Sequence, residues 1–175
     1  MKKTVLRYGL YGGLVIMALF AIDTFVVAKW LGYNGQEIAG YLTMMLSMIF
    51  VFFGMRHYRD KENGGELSFG KGLKVGILIV LIPSVCFGLF DLLYTEVINP
   101  NWLKDYYGQY MAQIKGSTPP DKLEAAMQKA KESMQMFSNP LMQFLLMAAT
   151  VFIIGFIVTI ISALTLRRTK NMITT

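Results

Sequence analysis

The stretch VGILIVLIPSVCFGLFDLLYT, Val75 to Thr95, decides how this chain is read. It runs for 21 residues with one charged side chain, Asp91. A helix advances about 1.5 Å per residue and a bilayer's hydrocarbon core is about 30 Å thick, so about 20 apolar residues suffice to cross it. Lipid offers the backbone no hydrogen-bond partners, so a stretch of this kind crosses as a helix. Three more blocks share the pattern: Tyr8 to Ala28, with Asp23 its only charge, and the uncharged Ile38 to Met55 and Leu141 to Leu166.

Composition agrees with this reading. Of 175 residues, 54% are hydrophobic and 16% are charged, which excludes disorder and an ordinary water-soluble core. The single cysteine, Cys86, cannot form an internal disulfide. The expected fold class is all-α: a polytopic membrane protein of one domain over residues 1–175, a four-helix transmembrane bundle with an external helical hairpin between the third and fourth spans. The first block has a basic start (Lys2, Lys3, Arg7), as a signal peptide would. Its apolar run is too long for that, and it carries an acid, so it reads as a retained span.

Lys and Arg are kept on the cytoplasmic side of membrane proteins. Eleven of the 17 lie at the N-terminus, in the connection 56–74 and in the tail (Arg167, Arg168, Lys170). The first connection holds only Lys29, and the five lysines of the third are balanced by five acids. Both termini are therefore expected in the cytoplasm, and the net charge of +6 reflects topology. The natural partner of the basic face is a bilayer with anionic headgroups. Arg56, His57, Arg59, Lys61, Lys71 and Lys74 form the expected collar against them. These residues flank membrane helices and form no soluble basic stripe, so nucleic acid is not an expected partner.

Small residues let membrane helices approach closely. Gly9 and Gly13 in the first span and Gly72 and Gly76 at the start of the third are expected to pack at matching depth. Gly40, Ser47 and Gly54 form a seam along the second, and Ala148, Gly155, Thr159 and Ser162 one along the fourth. The seams read as bundle packing, with a homo-oligomer as the alternative. Pro83 is expected to kink the third span. Trp30, Tyr33, Trp102, Tyr106 and Tyr107 are expected at the outer interface.

Asp23 and Asp91 lie at similar depth near the outer ends of their spans, on the helix halves that carry the glycines. A carboxylate in hydrocarbon costs about 2.5–3.5 kcal/mol on insertion scales. Either the pair binds a proton, a cation or a basic headgroup in an outward-facing polar site, or each acid is satisfied locally by water, Thr24, Tyr94 or Thr95. The sequence favours the second reading.

Gly65 to Lys71 matches the spacing of a phosphate-binding loop, but no strand precedes it and Gly72 stands where Ser or Thr should hold magnesium. A turn at Asn63-Gly64-Gly65 followed by a Ser68 cap explains the same residues. Asn99-Pro100 and Asn139-Pro140 bracket the long third connection. Its first arm carries Trp102, Leu103, Tyr106, Tyr110 and Ile114 at helical spacing, closed by Gly116. The second starts with Pro119 in the first helical position and shows a stripe of Leu123, Met127, Ala130, Met134 and Phe137, with Lys122, Lys129, Glu132 and Gln135 opposite. That stripe either rests on the membrane or bundle, or docks a partner protein.

The sequence combines four spans, the connection Tyr58-Arg59-Asp60-Lys61 with Gly64-Gly65 and Ser68-Phe69-Gly70-Lys71, an Asn-Pro start to the insertion and a final Arg167-Arg168. In these features the chain resembles the bacterial integral membrane proteins grouped as domain of unknown function 4199. The resemblance covers essentially the whole chain, is most specific from Tyr58 to Lys71, and is expected to be weakest from Asn101 to Ser138. It implies a bacterial inner-membrane protein and transfers no catalytic residues. With one histidine, no Cys/His cluster and no nucleophile–base pair, the chain is expected to be no enzyme and to hold no cofactor or metal. Two functions follow: a non-enzymatic scaffold or accessory subunit that binds another membrane component, or a small transporter or ion-binding protein built on Asp23 and Asp91. The sequence favours the first.

Overall fold

The computed structural model describes residues 1–27, 30 and 33–168, with the side chains of Tyr33, Asn34 and Gln36 outside that description. The backbone is helical: α1 (Lys2–Phe25), α2 (Tyr33–Ser47), α3 (Ile49–His57), α4 (Phe69–Leu93), α5 (Trp102–Ser117), α6 (Pro120–Phe137) and α7 (Pro140–Leu166). One π-helical turn, Tyr58–Glu62, prolongs α3, and another, Tyr94–Ile98, prolongs α4. Four helical stretches among the described residues are long and apolar enough to cross a membrane: Lys2–Phe25, Glu37–Glu62, Phe69–Ile98 and Pro140–Leu166. Lys29, Lys170 and the Ala28 end of the first expected span lie outside the described residues.

α4 is the centre of the bundle. It packs in parallel on α1 and antiparallel on α7 and α3. Ile16, Met48, Met55, Val75, Val80, Phe87 and Val151 are sealed between these helices. The outward faces remain oily at intervals of three or four residues: Leu6, Leu10 and Leu14 on α1; Leu81, Val85 and Leu89 on α4; Ile153, Ile157, Ile161 and Leu164 on α7. α7 is the most apolar of the spans and also the least buried. Water would select the reverse, whereas hydrocarbon around the bundle accounts for an oily girdle of this extent.

Glycines set the closest approaches. A Cβ at Gly9 would stand 2.4 Å from Ile82 Cδ1, and one at Gly13 would stand 3.0 Å from Cys86 Sγ, so α1 lies directly on the middle of α4. Gly72 and Gly76 face α7 instead, against Ala163 and Thr159, while Gly155 of α7 receives Val80. The sequence reading set the two glycine pairs against each other; instead Gly9 and Gly13 meet the middle of α4, while Gly72 and Gly76 meet α7. Each pair needed a surface to fit into, and the neighbouring branched side chains supplied one. Gly54 is closed over by Ile79 and Tyr8, and Ser47 is buried. Gly40 departs from the expected seam: among the described residues, no neighbouring heavy atom lies within 4 Å of where its Cβ would be.

The second span is not one uninterrupted helix. Met48 separates α2 from α3, and its N–H donates to Met45 O at 3.1 Å, a tightened turn. Ser47 Oγ donates back to Met44 O at 2.7 Å, the kind of side-chain competition that bends helices. Helical backbone continues through Pro83 in α4, where Ser84 Oγ donates to Val80 O at 2.9 Å.

At the basic end the Asn63-Gly64-Gly65 turn has φ of +64° and +81° at its two glycines, where a Cβ would be strained. Asn63 Nδ2 donates to Glu66 O at 2.6 Å, and Ser68 Oγ accepts from Lys71 N at 3.4 Å to cap α4. Leu67 and Arg168 exchange backbone hydrogen bonds of 2.7 and 2.9 Å, which ties this turn to the end of α7. At the other end, α7 starts on an Asn139 cap and α6 starts one residue later than expected, with Pro120 in the first position after Pro119. α5 and α6 pack on each other, and α6 on α7.

Candidate functional site

The ends of α1 and α4 far from the basic end carry the two intramembrane acids, and the fold brings both to one cavity of about 480 Å³. α1 contributes Phe20, Asp23 and Thr24; α2 contributes Glu37, Gly40 and Tyr41. Phe87, Asp91 and Tyr94 come from α4 and the turn after it, and Asn99 follows them. Trp102, Asp105, Tyr106 and Gln109 of α5 close the far wall, with Phe137 of α6 and Thr150 of α7 beside them. Four carboxyl side chains thus line one space, and among the described residues no Lys, Arg or His does.

The two buried acids differ in their surroundings. Asp91 is 3% exposed, and its Oδ2 accepts from Gln143 Nε2 at 2.7 Å. Gln143 also donates to Thr95 Oγ1 at 2.8 Å, and that hydroxyl donates to the Asp91 carbonyl at 3.0 Å. Local satisfaction by Thr95 thus reaches the Asp91 backbone, while the carboxyl is served from α7. Asp23 is 9% exposed, and its Oδ1 has no hydrogen-bond partner among the described residues. A buried polar atom left unpaired costs about 1–3 kcal/mol, so its retention calls for an explanation.

Sequence reasoning missed Gln143, although it is the only amide in the four apolar blocks and was therefore visible. It also placed Trp102, Tyr106 and Tyr107 at an outer interface. Trp102 and Tyr106 stack at 5.0 Å and both line the cavity, and Tyr107 is 6% exposed. Trp30 is 86% exposed. The α6 stripe is partly used within the chain, with Ala130 buried, Leu123, Met127 and Phe137 half-buried, and Met134 exposed; Met136, outside the stripe, is exposed as well.

The residues of the expected basic collar separate into two groups. Arg56, Lys61, Lys71 and Lys74 are exposed. Arg59 is turned inward, donating to Asp60 at 2.7 and 3.2 Å and to the Leu166 carbonyl at 3.4 Å, where it caps the end of α7. His57 sits half-buried with its ring 5.6 Å from that of Tyr8. The Met1 amino group and Thr4 Oγ1 both donate to Glu62, which fastens the start of α1 to the same connection.

A family model described as a protein of unknown function, DUF4199, matches residues 7–168. The chain belongs to this family. The match takes in all four spans, the cavity and the insertion that forms its far wall. No curated protein and no solved structure matches the chain.

Proposed function

We propose that this DUF4199 protein is a non-enzymatic, multi-pass membrane protein that binds a cationic ligand in the cavity around Asp23 and Asp91. One observation carries the reading: Asp23, whose buried Oδ1 has no donor among the described residues, lines a cavity together with three further acids and, among the described residues, no base. A cation entering there gains a partner for Asp23 at no cost in displaced protein hydrogen bonds. The distribution of Lys and Arg supports an orientation with both termini in the cytoplasm of a bacterium and the basic end at the inner face of its inner membrane. α5 and α6 are then an external helical hairpin over the cavity, and Arg56, Lys61, Lys71 and Lys74 meet anionic headgroups.

The scaffold reading, with another membrane protein or a second copy as partner, keeps a smaller basis. It rests on what α6 leaves uncovered, Met134 and Met136 at 36% and 49% exposure. Equilibrium dialysis of the purified protein against a panel of inorganic and organic cations tests the preferred function. Saturable binding that is lost in Asp23→Asn is the expected result. A panel with no bound member, or equal binding by wild type and variant, would overturn it.

A further inference from the structure

The acids specify the charge of the ligand, and the walls specify its shape. Resting on the cation-binding reading above, we infer that the cavity takes an organic cation, an alkyl- or arylalkyl-ammonium, rather than a bare metal ion. The space of about 480 Å³ is an order of magnitude larger than the roughly 30 Å³ share of one water, so a dehydrated ion would leave most of it filled with solvent. A hard divalent cation such as calcium needs about six to eight oxygens converging at about 2.3–2.6 Å. Among the described residues no three His, Cys, Asp or Glu side chains are grouped to hold one metal ion. The carboxyls come from α1, α2, α4 and α5 and are spread around the walls.

Between the acids the lining is aromatic: Phe20, Tyr41, Phe87, Tyr94, Trp102 and Tyr106. A cation within about 6 Å of a ring centroid is attracted to the ring face, most strongly for Trp and most when desolvated. The rings brace one another. Phe20 meets Phe87 edge to face at 5.0 Å, Tyr94 meets Trp102 at 6.4 Å and 74°, and Trp102 stacks on Tyr106 at 5.0 Å and 21°. Rings held in this way lose little freedom when a ligand arrives. Asp91 already has Gln143, so Asp23 takes the ammonium charge. Asp105 and Glu37, both exposed, attract cations to the entrance.

The chain has two tryptophans, so Trp30→Phe leaves Trp102 as a lone fluorophore in the cavity wall. In that background the detergent-purified full chain is titrated with benzyltrimethylammonium, with benzoate as the anionic control, and with sodium, potassium and calcium chlorides. The expected result is a saturable change in Trp102 emission with benzyltrimethylammonium alone, weakened by about tenfold or more in Asp23→Asn. The exposed Asp105→Asn change, which leaves the buried core intact, should weaken it by a smaller factor and serves if Asp23→Asn does not fold. Tighter binding of a metal ion that displaces the ammonium would overturn this inference while the cation-binding reading stands. No saturable response to any cation, or undiminished binding in folded Asp23→Asn and Asp105→Asn proteins, would overturn both.

Discussion

Gln143 of α7 reaches across the bundle to donate a 2.7 Å hydrogen bond to the Asp91 carboxyl of α4. Both side chains are almost fully buried. The contact therefore joins the two helices that share the largest interface, at the level where the cavity begins.

Replacing Gln143 alone leaves the buried Asp91 carboxyl without this donor, which costs about 1–3 kcal/mol, whereas replacing both with apolar groups can be nearly neutral. Gln143→Leu is accordingly expected to lower the unfolding temperature in detergent. Asp91→Leu combined with Gln143→Leu should recover much of the loss. A double variant as unstable as the sum of the two single ones would show that the side chains do not act as a pair.

Glycine substitutions should divide by position. A Cβ at Gly76 would fall 2.3 Å from Thr159 Cγ2, so Gly76→Ala forces α4 and α7 apart and is expected to cost about 1–3 kcal/mol. Gly108, inside α5, has no neighbour within 4 Å of the same point among the described residues, and Gly108→Ala should be neutral or stabilise by up to about 1 kcal/mol. Thermal unfolding of the two variants under one detergent condition makes the comparison.

Topology can be read from cysteine chemistry, since Cys86 is the chain's only cysteine. In a Cys86→Ser background, Lys61→Cys lies at the basic end and Gln128→Cys on the exposed face of α6. A membrane-impermeant maleimide applied to intact cells should label Gln128→Cys alone, with Lys61→Cys labelled only after the cells are opened. The reverse pattern would invert the orientation proposed for the cavity.

Tyr107 gives a pH prediction outside the spans. Burial, with Tyr106 and Tyr110 beside it, pushes its phenol up to about 12. The folded chain thus holds this proton more tightly than the unfolded one, where a tyrosine titrates near 10. The stability gained is full below about pH 10 and is lost as pH rises from there through about 12. Phenolate absorbance should show one late-titrating tyrosine in the wild type that is missing in Tyr107→Phe, and the variant's stability should fall less steeply over that range.

How much of this was legible in the sequence differs between the spans and the site. The blocks from Tyr8, Ile38, Val75 and Leu141 correspond to four long apolar helices, and the Asn63-Gly64-Gly65 turn and Ser68 cap stand where local turn chemistry put them. Asp23 and Asp91 were recognisable as exceptions in oily surroundings, but not the difference between them. That depends on Gln143, 52 residues from Asp91, and on the absence of any such donor to Asp23 Oδ1 among the described residues.

By itself, the order of residues determined where helices form and which of their ends are basic. Each apolar block meets lipid on its own, so transfer energy and backbone self-satisfaction act segment by segment. Only the tertiary structure decided that Gly72 and Gly76 face α7, that the second span breaks at Met48, that Leu67 bridges to Arg168, and that Trp102 and Tyr106 of α5 line the same cavity as two buried acids. Hydrocarbon is as apolar as the helices it surrounds and prefers no pairing among them. Shape and a few polar contacts make that choice, and they bring together residues far apart in the chain.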